Sequence, residues 1–281
     1  MRGLACCTAL LTAGVRITPA QTGLLVVAHG ADSGWNARVR ETVAQVHWSQ
    51  GPVALAFLMG SESESAGWGH AVDALLAARA TSIVVVPFLV SSFGGHYREI
   101  EYYAGRRDSL SGHVLMLRHH PLPVPSRVTS ALDAAPELGQ ALVALWRGLT
   151  DADRSRPLVL VAHGPADSED AARWLANLRT AAAALPSAGL ATPLGIGLLW
   201  DDATPPLRAA AVAALRDTVN VMAVRARDSV VVIPVLISSG SIDQQKLPRD
   251  LLGLPIHYRP ASLAPLPALA RWIERAGAEA R

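Results

Sequence analysis

The sequence predicts an α/β protein in which two similar domains each carry a four-stranded parallel sheet with helices on both faces. Short apolar runs recur in the same order in both halves of the chain, and longer segments with helical spacing separate them. Runs that are apolar at every position are typical of parallel strands covered on both faces. Strands that alternate with helices form right-handed βαβ units, which build a parallel sheet.

Two pairs of strands repeat almost letter for letter. LLVVAHG begins at Leu24 and LVLVAHG at Leu158, and they supply the first strand of each half. SIVVVPFLVSS begins at Ser82 and SVVVIPVLISS at Ser229, and they supply the third strand. The second and fourth strands match more loosely; they are predicted at 52–58, 113–121, 193–199 and 254–260. Each half of the chain therefore encodes the same order of elements.

Helices and boundaries follow from what separates these runs. Helical periodicity is clearest over residues 35–46, 66–80 and 171–185. Proline removes a hydrogen-bond donor from the ladder, so Pro87 and Pro234 are expected near the ends of their strands. Residues 150–157 are polar and lack periodicity, which indicates a linker. The predicted domains span residues 22–150 and 157–281.

The first 21 residues differ in character from the rest. An apolar stretch follows Arg2, is too short to span a bilayer and ends before small residues. The segment predicts either a cleaved secretory signal peptide, with export of the mature chain, or an N-terminal extension of a cytoplasmic protein. Both cysteines, Cys6 and Cys7, lie in it. The sequence after residue 21 therefore contains neither a disulfide framework nor a CxxC metal site.

The bulk composition excludes some partners. Apolar residues make up 51% of the 281-residue chain, enough for two cores, and the formal net charge is only +2. No basic stripe or block of like charge is present, so we expect no nucleic-acid partner and no membrane span.

Two histidines are placed to converge on one crevice. Ligands on open parallel sheets bind beyond the carboxyl ends of the strands, where strand order reverses. In a flavodoxin-like, Rossmann-like order 2-1-3-4, that point lies between the first and third strands. His29 ends the first strand, and His96 follows the third by a Ser-Ser-Phe-Gly-Gly turn. Imidazole suits ions such as Fe²⁺, Co²⁺ and Ni²⁺, and an imidazole can also act as a base near neutral pH.

The second half repeats only one of these histidines. His163 matches His29, but the position that corresponds to His96 holds Asp243. We therefore place the chemistry in the N-terminal half, with a degenerate site in the C-terminal half that forms the opposite wall of a cleft. His119 and His120 are expected on the same rim, at the end of the fourth strand and further out.

The two motifs together resemble the CbiX/SirB class of sirohydrochlorin chelatases. They are VVAHG, from Val26, and VVPFLVSSFGGH, from Val85, and two such domains in tandem resemble the long form of the family. The resemblance implies a lyase-class metal chelatase that inserts Fe²⁺ or Co²⁺ into sirohydrochlorin, on the way to siroheme or cobalamin. It implies that the metal ion is a substrate and that no organic cofactor is needed. It also maps the metal-handling histidines onto His29 and His96, and it favours a cytoplasmic location. We expect a monomer or a homodimer.

The chain departs from the family after the second strand. Members often have a carboxylate there, in a Phe-Leu-Glu sequence, and this chain has Met59. Glu62 and Glu64 come slightly later, and we treat both as candidate metal ligands that could reach the crevice from their loop.

The substrate would be a large, flat, carboxylate-rich macrocycle. We expect it to contact the turn after the third strand and the start of the next helix, that is Ser91, Ser92, Phe93, Gly94, Gly95, Tyr97 and Arg98. Trp68, Tyr102 and Tyr103 could add aromatic surface. Glu99 lies three residues after His96 and could orient its ring.

Two other functions remain open from the sequence. A carrier that binds a metal ion or a metallated tetrapyrrole without catalysis is favoured by Met59 and by the apolar leader. A hydrolase or transferase is disfavoured, because the chain has no GxSxG, GxxxxGK[ST] or strand-linked GxGxxG motif.

Overall fold

The computed structural model describes residues 20–110 and 118–280, and it contains two four-stranded parallel sheets. The strands are β1 (Thr22–Ala28), β2 (Val53–Phe57), β3 (Ser82–Phe88), β4 (Ser126–Val128), β5 (Leu158–Ala162), β6 (Leu194–Leu198), β7 (Val230–Val235) and β8 (Ile256–Tyr258). Their orders are β2-β1-β3-β4 and β6-β5-β7-β8. The predicted fold class and the 2-1-3-4 strand order are confirmed in both halves. Pro87 and Pro234 each occupy the penultimate position of their strand.

Helices cover both faces of each sheet. They are α1 (Ser33–Ala44), α2 (Trp68–Ala77), α3 (Gly95–Tyr103), α4 (Pro136–Arg147), α5 (Asp151–Arg154), α6 (Ser168–Ala182), α7 (Ala184–Ser187), α8 (Pro205–Ala226), α9 (Leu247–Asp250) and α10 (Pro267–Glu279). A π-helical turn, Ile242–Lys246, precedes α9. Among the described residues, no helix combines the length and apolarity that a bilayer crossing requires. The predicted leader lies outside the described residues.

Two sequence predictions need correction. The fourth strand of the first sheet is β4, not residues 113–121, of which 113–117 lie outside the described residues. Prolines at 121, 123 and 125 separate that segment from β4, and β4 pairs with β3 through Ile83–Val85. His119 and His120 therefore precede the strand instead of ending it. The linker is also partly helical, because the hydroxyl of Thr150 accepts a hydrogen bond from Asp153 N and caps α5.

The two halves share one core. Alternate residues of β1, such as Leu24 and Val26, pack in a cluster with α1, α4, α6 and α10 that also includes Leu160 of β5. The outer face of the first sheet is covered by α2 and α3, and that of the second by α8 and α9. Because strand side chains alternate between faces, each sheet contributes one face to the shared core.

The final helix of each half packs on the other half. Helix α4 lies against α6 and α7, and α10 lies against β3 and α1. The indole of Trp272 stacks on Phe88, with ring centroids 6.1 Å apart. Glu137 of α4 accepts two hydrogen bonds from Arg275 of α10, at 2.7 and 2.8 Å. The two sheets are therefore held together by exchanged helices as well as by the chain between them.

Candidate metal centre

His29 is held in one orientation by the turn that follows β1. Its Nδ1 lies 2.7 Å from the carbonyl oxygen of Gly30, so Nδ1 carries the proton and Nε2 keeps its lone pair. Gly30 has a φ of +83°, and a Cβ there would lie 2.1 Å from the carbonyl oxygen of Met59. A glycine is thus required for the turn that presents the imidazole.

His96 lies at the start of α3 and is backed by a buried carboxyl group. Its Nδ1 is 3.2 Å from Oε2 of Glu99, one helical turn later, and Glu99 is fully buried. The hydroxyl of Tyr103 donates a hydrogen bond to the other oxygen of Glu99, at 3.2 Å. With Nδ1 held in this way, Nε2 is the nitrogen of His96 that would bind a metal ion.

The two imidazoles meet between β1 and α3. Their ring centroids are 4.5 Å apart and the planes are nearly perpendicular, at 86°. Burial, and to a smaller extent repulsion from the neighbouring His96 and His163, lower the pKa of His29 to about 4, against smaller opposing effects of the hydrogen bond to Gly30 and of Asp202. His29 is therefore neutral at physiological pH, which is the form that binds a metal ion, and it is a weak base.

The loop carboxylates after β2 do not join this pair. Glu62 is ion-paired with Arg40 and accepts a 3.0 Å hydrogen bond from Asn36, and the pKa of Glu62 is lowered by these contacts. Glu64 is exposed. Within the described ranges, neither residue combines with His29 and His96 into a set whose ligand atoms all lie within 4.8 Å. Glu62 would have to release Arg40 in order to bind a metal ion, so both ligand assignments stay predictions.

Comparisons with known proteins agree with this geometry. The CbiX family model matches residues 23–147, which contain both histidines and the turn between β3 and α3. Residues 23–147 form a CbiX domain. None of the curated proteins compared with the chain matches its sequence significantly.

Three solved structures have a similar fold over nearly the whole chain. SirB from Bacillus subtilis with Fe³⁺ is 17% identical, with a TM-score of 0.61 over 92% of this chain and 95% of that one. The sirohydrochlorin chelatase SirB from Bacillus subtilis subspecies spizizenii, in complex with cobalt, is 14% identical, with a TM-score of 0.63 and the same coverage. CbiX, the terminal enzyme of siroheme biosynthesis in denitrifying bacteria, is 20% identical, with a TM-score of 0.53 over 90% and 99%. At these identities the similarity shows the fold.

The two serines of the turn between β3 and α3 make hydrogen bonds within the protein. Ser92 donates a 2.6 Å hydrogen bond to Asp133 through its hydroxyl and a 2.8 Å bond through its backbone N–H. The hydroxyl of Ser91 accepts a bond from Phe93 N, at 3.1 Å. Asp133 also accepts a 3.1 Å bond from Asn177 of α6. Asp133 was missed from the sequence, because nothing local connects it with the turn that it braces.

The remaining residues predicted to contact substrate lie at the boundary between the CbiX domain and the second half. Arg98 forms a 2.6 Å ion pair with Asp170 of α6, and the guanidinium of Arg173 lies 5.4 Å from the centre of the Phe93 ring. Gly94 and Gly95 begin α3; Gly94 has an extended φ of 173°, so its conformation does not require a glycine. The hydroxyl of Tyr97 donates to the carbonyl oxygen of Thr129, at 3.1 Å. These contacts leave the substrate assignments as predictions.

Three aromatic residues proposed as macrocycle surface belong largely to the core of the CbiX domain. Trp68 and Tyr103 are fully buried, and their rings pack 5.5 Å apart. Tyr102 packs on His119, with ring centroids 5.2 Å apart. Trp68 and Tyr103 belong to the cluster that covers the outer face of the first sheet, and Tyr102 packs against it.

The second half places different chemistry at the equivalent positions. Asp243, which replaces the second histidine, is buried and accepts hydrogen bonds from Ser239 Oγ and Gly240 N, at 2.5 and 2.6 Å. It lies within the π-helical turn and ties that turn to the residues before it. His163 lies close to Asp201 and Asp202, a grouping that the sequence analysis did not identify. The Trp-Asp-Asp sequence after β6 was a signal that could have indicated it.

Proposed function

We propose that this protein inserts a divalent metal ion, Co²⁺ or Fe²⁺, into sirohydrochlorin or a closely related tetrapyrrole. The observation that carries the proposal is the pair of imidazoles, His29 and His96, whose centroids lie 4.5 Å apart at the strand-order switch of a CbiX domain. Structures of the same fold contain Fe³⁺ or cobalt, and one of those proteins is a sirohydrochlorin chelatase. The metal ion is the substrate of this reaction.

The two histidines would have different roles. His29 is neutral because burial holds its pKa at about 4, so it would bind the ion through Nε2 and take up a proton only weakly. Insertion releases two pyrrole N–H protons as the ion binds the ring nitrogens, so a base is required near the ring centre. Nε2 of His96 can take up one of these protons once it has released the ion, with the carboxyl group of Glu99 beside Nδ1, and solvent takes up the other.

A small number of protein ligands makes transfer of the ion to the macrocycle easier. An ion held by two imidazoles keeps open positions that the ring nitrogens can occupy, whereas a closed four-ligand site would retain it. Met59 lies beside His29, and its backbone N–H donates a 2.9 Å hydrogen bond to the carbonyl oxygen of His29. A thioether there adds no negative charge to the site, which favours a loosely held ion.

Met59 also favours the second candidate, a carrier without catalytic activity, because no carboxylate strengthens the site from that position. Absorbance spectroscopy of sirohydrochlorin mixed with Co²⁺ or Fe²⁺ separates the two functions. A chelatase raises the initial rate of insertion in proportion to protein concentration. A carrier binds metal or macrocycle and leaves the rate at its uncatalysed value, which would overturn the proposed reaction.

A further inference from the structure

The histidine turns of the two halves are built alike. Nδ1 of His163 lies 2.8 Å from the carbonyl oxygen of Gly164, as Nδ1 of His29 does from Gly30. Gly164 has a φ of +79°, close to the +83° of Gly30. In both turns Nδ1–H donates a hydrogen bond to the carbonyl oxygen, so Nε2 of His163 also keeps a lone pair for a metal ion.

The loop that bonds to the backbone of the histidine follows β2 in the first half and β6 in the second. A different residue makes this bond in each half. In the first half, Met59 N donates to the carbonyl oxygen of His29 at 2.9 Å. In the second half, Asp201 N donates to the carbonyl oxygen of His163 at 3.4 Å. Trp200 adopts a left-handed φ of 52° and adds one residue before this bond. The extra residue thus puts Asp201 at the backbone position that Met59 occupies in the first half.

Three potential ligands converge there. His163, Asp201 and Asp202 each offer one ligand atom, and these atoms lie within 4.8 Å of one another. Nε2 of His163 and Oδ2 of Asp202 are 3.9 Å apart. Metal–nitrogen and metal–carboxylate bonds of about 2.0–2.2 Å let one ion bridge such a pair. The side chain of Asp202 is 58% exposed and can turn toward the ion without disturbing the core.

The charges around the cluster suit an exchangeable cation. Asp201 is bound by Lys246 at 2.5 Å and by Arg208 at 3.1 Å, and Arg208 also pairs with Asp250 at 2.6 Å. Arg249 also lies 3.8 Å from Asp250, so three cations balance the three carboxylates of Asp201, Asp202 and Asp250. Arg208 and Lys246 already bond one oxygen each of Asp201, so an added ion would be held loosely.

The loops at the carboxyl ends of the two sheets contact each other near both histidine turns. Trp35, whose ring centroid lies 6.1 Å from that of His29, accepts a 3.0 Å hydrogen bond at its carbonyl oxygen from Ser238 Oγ. Arg98, two residues after His96, pairs with Asp170 at the start of α6, the helix that follows His163. The carboxyl ends of β1 and β5 therefore border the same space.

We propose that His163, Asp201 and Asp202 form a second divalent-cation site, which captures an ion from solution and passes it to His29 and His96. The capture site stands on its own geometry, and the transfer rests on the proposed function. The two steps are therefore tested separately.

Titration of the metal-free, full-length chain with Co²⁺ tests the capture site. We expect two ions per chain for the unaltered protein, and one each for His163→Ala/Asp202→Asn and His29→Ala/His96→Ala. Controls are His47→Ala and Asp217→Asn, exposed residues away from the cluster that should keep both ions. Circular dichroism verifies that each variant is folded. A folded His163→Ala/Asp202→Asn variant that binds as many ions as the unaltered protein would overturn the site.

The Co²⁺ dependence of insertion tests the transfer. His163→Ala/Asp202→Asn should raise the Co²⁺ concentration for half-maximal rate by about tenfold, the lower end of the loss seen when a metal site is weakened indirectly. The maximal rate should stay the same, because His29 and His96 are intact. An unchanged Co²⁺ dependence would remove the transfer role. If the unaltered protein inserts no metal, the proposed function fails, and the titration alone still decides whether the second site exists.

Discussion

The imidazoles of His29 and His96 lie edge to face, 4.5 Å between centroids, although one ends β1 and the other begins α3. Each ring has its Nδ1 next to an oxygen, from Gly30 in one case and Glu99 in the other. The pair is therefore pre-oriented before any ion arrives, and little side-chain ordering would be required on binding.

Replacement of either histidine should abolish insertion. We expect His29→Ala and His96→Ala each to lower the insertion rate by about 100-fold or more, because disturbing a residue that merely orients a ligand already costs about 10- to 100-fold in metal affinity. Thermal unfolding should remain cooperative, and the exposed His47→Ala serves as the control. A larger loss in His163→Ala at saturating metal than in either variant would move the catalytic centre to the other half.

His29 should titrate far below an ordinary histidine. In the metal-free protein, NMR should find the pKa of His29 at about 4, since burial and the neighbouring His96 and His163 disfavour the charged ring. His96→Ala removes one of these positive neighbours and should raise the pKa, whereas His47→Ala should not. An unchanged pKa in His96→Ala would contradict the contact between the rings.

The same shift makes folding stability depend on pH. The unfolded chain protonates His29 near the ordinary value of 6.5, and the folded chain only near 4. Above pH 6.5 the ring is neutral in both states, and the full contribution to stability is present. As pH falls from 6.5 toward 4, the unfolded state binds the extra proton and the contribution is lost. Urea unfolding at several pH values should show a shallower decline over this window in His29→Gln than in the unaltered protein.

Glu99 should act as a positioning residue for His96. Glu99→Gln keeps the shape but changes the group beside Nδ1, so we expect Co²⁺ affinity to fall by about 10-fold or more. Tyr103→Phe removes one hydrogen bond to Glu99 and should have a smaller effect in the same direction. Glu101→Gln, on the same helix, is the matched control for loss of a carboxylate. Equal Co²⁺ affinities for Glu99→Gln and Glu101→Gln would exclude the role.

The glycine after His29 should be essential to the fold. Gly30→Ala would strain a residue at φ +83° and also place Cβ 2.1 Å from the carbonyl oxygen of Met59. Gly105 has a φ of +67° with no atom within 4 Å of the added Cβ, so Gly105→Ala should cost only the left-handed strain, about 1–2 kcal/mol. Urea unfolding should rank Gly30→Ala as clearly the more destabilising, and equal losses would show that the turn can relax.

The exchanged helices should make the halves interdependent. Trp272→Ala should destabilise the whole chain by about 3–5 kcal/mol, because this Trp is buried against Phe88 of the other half. Leu252→Ala, at a 77% exposed position, is the control. A fragment of residues 20–150 should lack a stable fold, because it leaves the face of β3 that α10 covers open to water. Cooperative unfolding of that fragment would contradict the coupling.

Local pattern was sufficient for much of this protein. Residue-by-residue hydrophobicity located seven of the eight strands, three of the longer helices and the repeat. Strands buried on both faces of a parallel sheet are apolar at consecutive positions, so they can be recognised from the sequence. The convergence of His29 and His96 followed from the same pattern, since both come after strands whose carboxyl ends meet at one edge of the sheet. The short strand β4 was not predicted, because an edge strand of three residues has too few apolar positions to be recognised.

Tertiary structure decided which groups meet across the chain. That Glu62 turns to Arg40, that α10 covers β3, and that Trp200 displaces Asp201 toward His163 depends on packing between segments far apart in sequence. Composition and spacing show which side chains each segment carries. They do not show which residues those side chains contact in the folded chain. The sequence determined two sheets that are each followed by a histidine turn. The folded arrangement decided which side chains surround each histidine, because those contacts join segments far apart in the chain.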